Sequence, residues 1–196
     1  MKKSIKIATT VMTLLISTLL FSQENAFRIG VKIGFPNVVG GNIEYVTPLL
    51  GKKLAPSIEY STLPLNIDPD ELKFTYFQVG LNYYFFKEGK GLYGNVNYGI
   101  LDGELTLNEV ESNFDDNKVG TAFVNVSNKS IGLKLGAKLG KVLYFRPEIG
   151  YAFTSLDEVL KVNVKFPDGS SENQNETMPD ILTKGYLVNI GFGFAF

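Results

Sequence analysis

The chain has 196 residues, with 19 Lys+Arg, 20 Asp+Glu, 20 Gly, 15 Phe and 10 Tyr, and it contains no His, Cys or Trp. A hydrophobic content of 44% and a charged content of 20% exclude a disordered tail and a strongly basic nucleic-acid binder. Without cysteine there is no disulfide framework, thiol catalysis or cysteine-linked lipid anchor, and without histidine the commonest general base and metal ligand are absent. The length suits one domain.

The N-terminal segment has the layout of a secretory signal peptide. Three lysines within the first six residues precede an uncharged run at 7–21, after which the sequence becomes polar. This run is short of the roughly 20 apolar residues that span a bilayer, so it predicts a cleaved signal peptide at 1–22 and a mature domain at 23–196. Loss of three of the 19 basic residues leaves 16 against 20 acidic ones, and this acidity argues against nucleic acid as a partner.

The mature chain alternates between apolar and polar residues with the period of two that is typical of β-strands. A helix at 131–139 is the alternative for one segment, but glycines at 132, 136 and 140 would each cost it about 1 kcal/mol. Turn signals divide the chain into eight predicted strands, and the phase of the fifth slips near 102–103, which predicts a β-bulge. The predicted strands are 26–35, 41–48, 53–63, 72–86, 91–108, 119–140, 141–164 and 182–196.

The connections between these strands alternate in length. Short connections are expected at 48–52, 87–90 and 140–141, and the short segment 36–40 is an exception at the other end. An even strand number with short turns at one end and long loops at the other predicts an all-β, eight-stranded antiparallel up-and-down transmembrane β-barrel. The long, polar loops are expected at 62–71, 109–118 and 155–181.

The composition of the two strand faces favours a membrane barrel over a soluble one. The polar face of a soluble sandwich meets bulk water, and a lipocalin-like barrel has little room inside for so many aromatic residues. Here the polar face is rich in glycine and carries a few charges of both signs, as a narrow lumen requires, and the other face is almost purely Phe, Tyr, Leu, Ile and Val. The predicted lumen charges are Arg28, Lys32, Glu44, Glu59, Lys134, Lys138, Arg146 and Glu148.

The C-terminus carries a motif that resembles the assembly signal of Gram-negative outer-membrane proteins. That signal has a polar residue, a glycine two positions later and aromatic residues at the third-last and last positions. Asn189, Gly191, Phe194 and Phe196 match it, and Phe196 is the last residue of the sequence. With the signal peptide and the alternating strands, the chain resembles the small eight-stranded outer-membrane β-barrels: OmpA-, OmpX-, OmpW- and PorT-like proteins of the outer membrane protein β-barrel domain family.

This resemblance implies secretion across the inner membrane, residence among the lipids of the outer membrane, and insertion by the barrel-assembly machinery with the last strand engaged first. It also implies no cofactor. The chain stops at Phe196 without the peptidoglycan-binding domain of full-length OmpA-type proteins, so a cell-wall tether is not expected.

No catalytic, cofactor or metal site is expected from the residues. Outer-membrane palmitoyl transferases, deacylases and omptin-type proteases all depend on histidine, which this chain lacks. No activated nucleophile lies beside a base in the sequence, so an enzyme is not expected. The acidic stretches at 68–71 and 115–116 lack the residue spacing of a calcium loop and are interpreted as solvated loops.

Two functions remain open from the sequence. An eight-stranded barrel encloses room for little beyond side chains, so the lumen charges predict a largely plugged interior and a structural or surface-interaction role, as an adhesin or complex subunit. The alternative is a narrow, porin-like channel for small or amphipathic molecules, in which five bases against three acids favour anions. Strands longer than the 9–11 residues that cross a bilayer are expected to project with their loops. These loops either bind an extracellular or outer-membrane protein partner by edge pairing or form a flexible shield.

Overall fold

A computed structural model describes residues 25–67, 70–112, 118–178 and 180–196. The predicted signal peptide lies outside the described residues. The described residues form ten strands and one short helix. They are β1 (Phe27–Phe35), β2 (Val38–Tyr45), β3 (Leu54–Ile67), β4 (Asp70–Tyr84), β5 (Gly91–Glu111), β6 (Val119–Gly140), β7 (Leu143–Ala152), β8 (Val159–Lys165), β9 (Ser171–Thr177), α1 (Asp180–Thr183) and β10 (Tyr186–Ala195).

Eight of these strands close into an antiparallel up-and-down barrel, which confirms the predicted fold class. Neighbours in sequence pair from β1 to β7, β7 then pairs with β10, and β10 returns to β1. The closing register joins Val31 to Phe192 and Ile33 to Ile190. At the seam the backbone groups of Phe27 and Phe196 bond to each other in both directions, with N···O distances of 3.2 and 2.7 Å.

The segment predicted as one strand at 141–164 is in fact two, and this prediction was wrong. Strand β7 ends at Ala152, and β8 begins at Val159 as part of a hairpin with β9. This hairpin leaves the barrel wall and pairs with the far end of β6 at Thr121–Phe123. The predicted loop 155–181 therefore contains a β-hairpin, whose polar sequence in β9 gave no strand signal.

Two other predicted loops are shorter than expected because the strands continue through them. Strands β3 and β4 stay paired from Leu54 to Ile67, and β5 and β6 stay paired out to the partners Glu111 and Val119. The predicted bulge near 102–103 is also wrong, since the pairing of β5 is continuous there on both sides. The register of β5 with β6 shifts instead between Leu107 and Val110.

The outer surface of the barrel is an apolar belt. In β4, β5 and β6 the outward apolar side chains run over nine residues each, at 77–85, 92–100 and 131–139. Nine residues match the roughly 9–11 that a tilted strand needs to cross a bilayer. Aromatic side chains on this surface include Tyr151, which makes edge-on contacts with Phe153 and Tyr186 at centroid distances of 5.8 and 6.4 Å.

Beyond the belt, the same strands exchange the chemistry of their two faces. In β5 the outward residues change from Tyr98 and Ile100 to Asp102 and Glu104, while the inward ones change from asparagine and glycine to leucine at Leu101. We call this part the distal extension; it comprises 62–67, 70–75, 101–111 and 119–130 together with the β8–β9 hairpin. The change in alternation near 102–103 therefore marks this exchange of faces and not the extra residue of a β-bulge.

The distal extension has its own apolar core. Ala122 and Val124 of β6 pack against Val162 and Val164 of β8 and against Phe166, and all five are buried. Leucines and valines of β5, β6 and β8 cover this cluster at its margin. The hairpin therefore folds its apolar face inward, as a soluble sheet does.

No helix in the described ranges is long and apolar enough to cross a membrane.

Candidate functional site: the charged lumen and the distal cavity

All eight predicted lumen charges lie inside the barrel, and each is at most 5% exposed. Inward positions on β1, β2, β3, β6 and β7 bring them together across the axis. Seven of the eight form two ion-pair clusters, stacked from the short-turn end towards the middle of the barrel.

The first cluster surrounds Glu44. Arg28 and Arg146 both form ion pairs with its carboxylate. Asn82 donates a hydrogen bond to the second oxygen at 2.9 Å, and the Tyr84 hydroxyl donates to the first at 2.8 Å. Four donors on one buried carboxylate compensate the loss of its hydration.

The second cluster links two acids to two lysines. Lys32 bridges Glu59 and Glu148, with 2.8 Å between its ammonium and Glu148. Lys134 lies 3.4 Å from Glu59 and 3.8 Å from Glu148. Tyr93 adds a hydrogen bond from its hydroxyl to Glu148. The two positive and two negative groups of the cluster neutralise one another inside the wall.

Lys138 stands apart from both clusters. Within the described residues no carboxylate lies within ion-pair distance of it, and its ammonium donates to the Lys141 carbonyl at 3.3 Å and lies 5.0 Å from the Tyr144 ring. It faces a cavity of about 410 Å³ at the short-turn mouth. Basic side chains dominate this mouth: Arg28, Lys52, Lys90, Lys138 and Lys141, with Glu88 beside them.

Tyrosine rings fill the space between the charges, whereas the predicted set of lumen residues named only charged side chains. The Arg146 guanidinium lies 5.4 Å from the Tyr93 ring and 5.1 Å from the Tyr144 ring. Tyr84 contacts Tyr93 at 5.0 Å and is covered by Arg28 at 5.4 Å. Their inward positions follow from the alternation, because Tyr84 shares a face with Asn82 and Tyr93 shares one with Asn95.

Glycines opposite these rings provide their space. A Cβ at Gly193 would lie 2.4 Å from the Tyr144 hydroxyl, and one at Gly136 would lie 2.5 Å from the Tyr93 ring. Because such contacts are far inside van der Waals distance, a side chain at either position would displace the ring. The glycine-rich inner face thus serves to hold tyrosines flat across the lumen.

An uncharged polar layer lies between the clusters and the distal extension. Asn97 donates to Asn95 at 2.8 Å, and Asn95 donates to Asn82 at 2.6 Å. The Tyr76 hydroxyl donates to Gln78 at 2.9 Å. Beyond this layer the inward residues of β4 and β5 are apolar, beginning with Phe74 and Leu101.

Directly beyond this layer the distal extension encloses an apolar cavity of about 370 Å³. Every strand of the extension except β9 contributes to its wall, together with the β1–β2 turn. The lining residues are Phe35, Val38, Leu63, Leu72, Phe74, Leu101, Gly103, Leu105, Val124, Val126, Leu156, Leu160 and Met178. We call this space the distal cavity. The sequence did not predict it, because the change in the alternation of β5 near 102–103 was interpreted as a bulge rather than as an exchange of the two faces.

The wall of the distal extension has a gap beside β6. Strand β7 pairs with β6 only as far as Gly132, and β8 pairs with it only from Phe123 onwards. Between these points no strand of the described chain pairs with β6 on that side. A smaller cavity of about 290 Å³ occupies the gap and shares Val126, Leu156 and Leu160 with the distal cavity.

The four residues of the predicted assembly signal lie along β10 and its end. Asn189 and Gly191 face the lumen, and Asn189 is buried. Phe194 and Phe196 face outward in the apolar belt, where they are 53% and 65% exposed. The motif is therefore divided between the two faces of the seam strand.

Within the described residues, no group of three or more acidic side chains is arranged to hold a metal ion.

Comparison with known proteins gives structural likeness only. No family model matches the chain, and no curated protein sequence matches it. The N-terminal β-barrel domain of Pseudomonas aeruginosa OprF is 16% identical over 88% of this chain and 98% of its own, with a TM-score of 0.46.

Two further solved structures are similar at the same level. Acinetobacter baumannii CarO is 15% identical over 86% of this chain and 97% of its own, with a TM-score of 0.47. A major outer membrane protein from Thermus thermophilus is 14% identical over 87% of this chain and 100% of its own, with a TM-score of 0.41. On its own topology and face chemistry, the chain has the fold of a small eight-stranded outer-membrane β-barrel.

Proposed function

We propose that the protein is an integral outer-membrane barrel with a plugged lumen, acting in a structural or surface-interaction role. The observation that carries the proposal is the pair of ion-pair clusters across the barrel, in which Glu44, Glu59 and Glu148 each contact at least two basic side chains. An eight-stranded barrel is just wide enough for side chains to fill it. Charges joined in this way resist displacement by a passing solute.

The outward chemistry supports the membrane assignment. Large apolar side chains such as Ile131, Leu135 and Phe192 are about half exposed, and such a continuous surface is incompatible with water but suited to lipid. Fractionation of cells, combined with the heat-modifiable gel mobility of the mature protein, tests this assignment. A mature protein that stays in the aqueous fraction without detergent would contradict the assignment.

The distal extension supports a surface-interaction role. Strand β9 pairs only with β8 among the described strands, so its outer edge offers backbone donors and acceptors to an added strand. A protein partner that binds by edge pairing fits this geometry. Crosslinking from reporter positions at Asn173 and Asn175 in intact outer membranes, with Phe85 at the other end of the barrel as control, should capture a partner from the β9 positions alone.

A single-channel recording in planar bilayers tests the plug directly. We expect no steady conductance from the wild-type protein and measurable, ion-selective steps after Arg146→Ala, because Arg146 lies between Glu44 and two tyrosine rings. Steady, ion-selective steps from the wild-type protein would exclude the plugged barrel.

The second candidate is a narrow channel for small or amphipathic molecules, favoured by the basic mouth at the short-turn end. Lys52, Lys90 and Lys141 line this mouth with a single acidic neighbour, Glu88. An electropositive mouth concentrates anions and would give anion-selective conduction. Selectivity that disappears after Lys90→Gln and Lys141→Gln would support this candidate.

The terminal motif supports insertion by the barrel-assembly machinery. Deleting Phe196 removes an outward aromatic side chain and both backbone bonds to Phe27. We expect a large decrease in the outer-membrane level of the protein, measured by quantitative immunoblotting. Phe153→Leu, on the same outer surface but away from the seam, is the control, and normal levels of the deletion variant would contradict the signal.

A further inference from the structure

We propose that the distal cavity is a binding site for a single hydrocarbon chain that carries an uncharged polar head. The cavity occupies the interior of the distal extension, outside the charged lumen, and its use does not depend on whether the lumen conducts. The occupant follows from three features: the lining, the floor and the entrance.

The lining of the cavity is entirely apolar. Phe74 of β4, Leu101 and Leu105 of β5, and Val124 and Val126 of β6 face one another across about 370 Å³. This volume lies within the roughly 300–1,000 Å³ of small-molecule pockets. An apolar cavity of this kind excludes water and accepts apolar ligands, because water would find no hydrogen-bond partner there.

The floor of the cavity separates it from the lumen. Tyr76 lies between them, with its ring against Gly99: a Cβ there would be 2.9 Å from the hydroxyl and 3.1 Å from a ring carbon. The bond from Tyr76 to Gln78 keeps the hydroxyl on the lumen side. A ligand in the distal cavity therefore meets apolar lining residues, and Tyr76 separates it from the polar lumen.

The entrance is the gap beside β6. Its rim combines apolar contacts shared with the cavity, through Val126 and Leu156, with polar groups from Asn125, Ser127 and Thr154. Asn128 spans the gap by donating to the Thr154 carbonyl at 3.1 Å. Amide and hydroxyl groups suit an uncharged hydroxyl or ester head.

Charge at the rim argues against an anionic head. Asp157 lines the gap, and Asp102 lies on the outer face of the neighbouring strand, where it accepts a hydrogen bond from Ser127 at 2.7 Å. A carboxylate or phosphate head would meet like charge at the entrance. The position of the gap also matters: Ile131 ends the continuous run of outward apolar residues at 131–139 in β6 and lies just below the gap, so the entrance opens at the border of the apolar belt.

The absence of tryptophan from the sequence permits a direct test. We compare Phe74→Trp, which places a fluorescent reporter in the cavity, with Phe77→Trp on the lipid face of the same strand. The full-length mature protein is reconstituted into phosphatidylcholine vesicles and titrated with a brominated ten-carbon alcohol. We expect saturable quenching of the cavity reporter that unbrominated decanol reverses, and linear, non-competed quenching of the lipid-face reporter.

A cavity-filling pair of variants provides the control. In the Phe74→Trp background, Gly103→Leu fills the cavity, since a Cβ at Gly103 meets its nearest neighbours at 3.8 Å or more. Gly41→Leu adds the same side chain where a Cβ meets nothing within 4 Å. We expect the first variant to weaken the saturable quenching at least tenfold and the second to leave it unchanged. Linear quenching of both reporters, or equal effects of the two leucines, would overturn the proposal.

The hydrocarbon ligand can come from the membrane or from solution, and a second arm of the experiment distinguishes these two sources. Phosphatidylcholine vesicles that contain a monoacylglycerol with a brominated acyl chain report whether a single-chain membrane lipid with an uncharged head reaches the cavity through the gap. Quenching of the cavity reporter by these vesicles, abolished by Gly103→Leu, assigns the leaflet as source. Quenching by the free alcohol alone assigns a soluble amphiphile. Heat-modifiable mobility of every variant verifies that the barrel has formed.

Discussion

Strands β5 and β6 pass through two regions of the molecule whose cross-sections have opposite chemistry. In the belt their outward residues are apolar and their inward residues are asparagine, glycine, lysine and tyrosine. In the distal extension the outward residues include Asp102, Asn125 and Ser127, and the inward ones include Leu101 and Val124. The pairing of the two strands is unbroken across the border.

This difference shows that backbone register and surface chemistry are independent in a sheet. A one-residue slip would also exchange the faces, but it would break the ladder at the point where the exchange occurs. Here the backbone continues and the side chains change, because the surroundings on both sides of the wall change at the same level. The charged interior is combined with an apolar exterior, and the apolar interior with a polar exterior.

The largest effect should come from removing a buried carboxylate in the lumen. Glu44→Gln leaves Arg28 and Arg146 without their shared partner, and an unpaired buried charge costs about 3–5 kcal/mol. Urea unfolding in lipid vesicles measures the change. Glu104→Gln is the control in the distal extension: its exposed pair with Lys73, at 3.6 Å, is worth less than about 1 kcal/mol. Equal effects would remove the distinction between the two regions.

A charge on the outer face separates the two regions next most strongly. Leu135→Lys puts an ammonium near the middle of the apolar belt, and we expect a loss of about 2–4 kcal/mol in the free energy of unfolding from the bilayer. Asn125→Lys, on the outer face of the same strand in the distal extension, should stay within about 0.5 kcal/mol of wild type. A large cost for the second variant would place that position in lipid.

The core of the distal extension offers a smaller and more local test. Val164→Ala truncates a fully buried side chain of β8 and should cost about 1–3 kcal/mol within the extension. We expect faster proteolysis at the β8–β9 hairpin in vesicles, with the barrel fragment intact. Val159→Ala, at a position that is 52% exposed, should leave the proteolysis rate unchanged. Loss of the whole barrel in Val164→Ala would mean that the two regions do not fold separately.

The smallest effect concerns the turn of the hairpin. Hydrogen bonds from Lys118 and Ser170 hold the pKa of Asp168 well below its usual value of 3.8. Because its pKa is lower in the folded turn than in the unfolded chain, ionised Asp168 stabilises the turn at any pH above the usual pKa. This stabilisation is lost only when the pH falls through the lower pKa of the folded state. The Ser170 amide, which donates to Asp168 at 2.9 Å, should keep its hydrogen-exchange protection at pH 4 and lose it in more acidic solution.

A variant sharpens this pH prediction. Asp168→Asn should lower the protection of the Ser170 amide at neutral pH and make it insensitive to acid. Asp157→Asn, at another exposed acidic position just before β8, should leave the Ser170 amide unchanged. Acid-sensitive protection in Asp168→Asn would assign the effect to another group.

The sequence predicts the barrel well because a lipid-facing strand obeys a strict rule. Alternation with a period of two, as in 131–139, leaves one choice for which residues face inward, and it directs positions such as Lys134 and Arg146 to the lumen. What alternation does not contain is the pairing across the axis. That Lys138 has a carbonyl and a ring as neighbours, while Lys134 has two carboxylates, depends on how eight strands are staggered around the barrel.

The distal extension was harder to predict from the sequence, because its sequence patterns resemble those of other structural features. The exchange of faces after Ile100 gives the same local pattern as a bulge. The alternation of Val162 and Val164 was present in the sequence, but without a turn signal it extended the preceding strand. Strand β9 has no apolar alternation at all, since its stability comes from pairing with β8 rather than from burial.

The seam between β1 and β10 has a consequence for the order of events during synthesis. Phe196 follows β10, which leaves the ribosome after every other barrel strand, and it supplies the bonds that close the wall on Phe27. The charges depend on the same closure, because Glu148 and Arg146 come from late strands while Lys32 and Glu44 come from early ones. A partly translated chain would hold the separated halves of a charged lumen with no wall to enclose them. Closure and neutralisation are thus one step, taken only after the last barrel strand has been made.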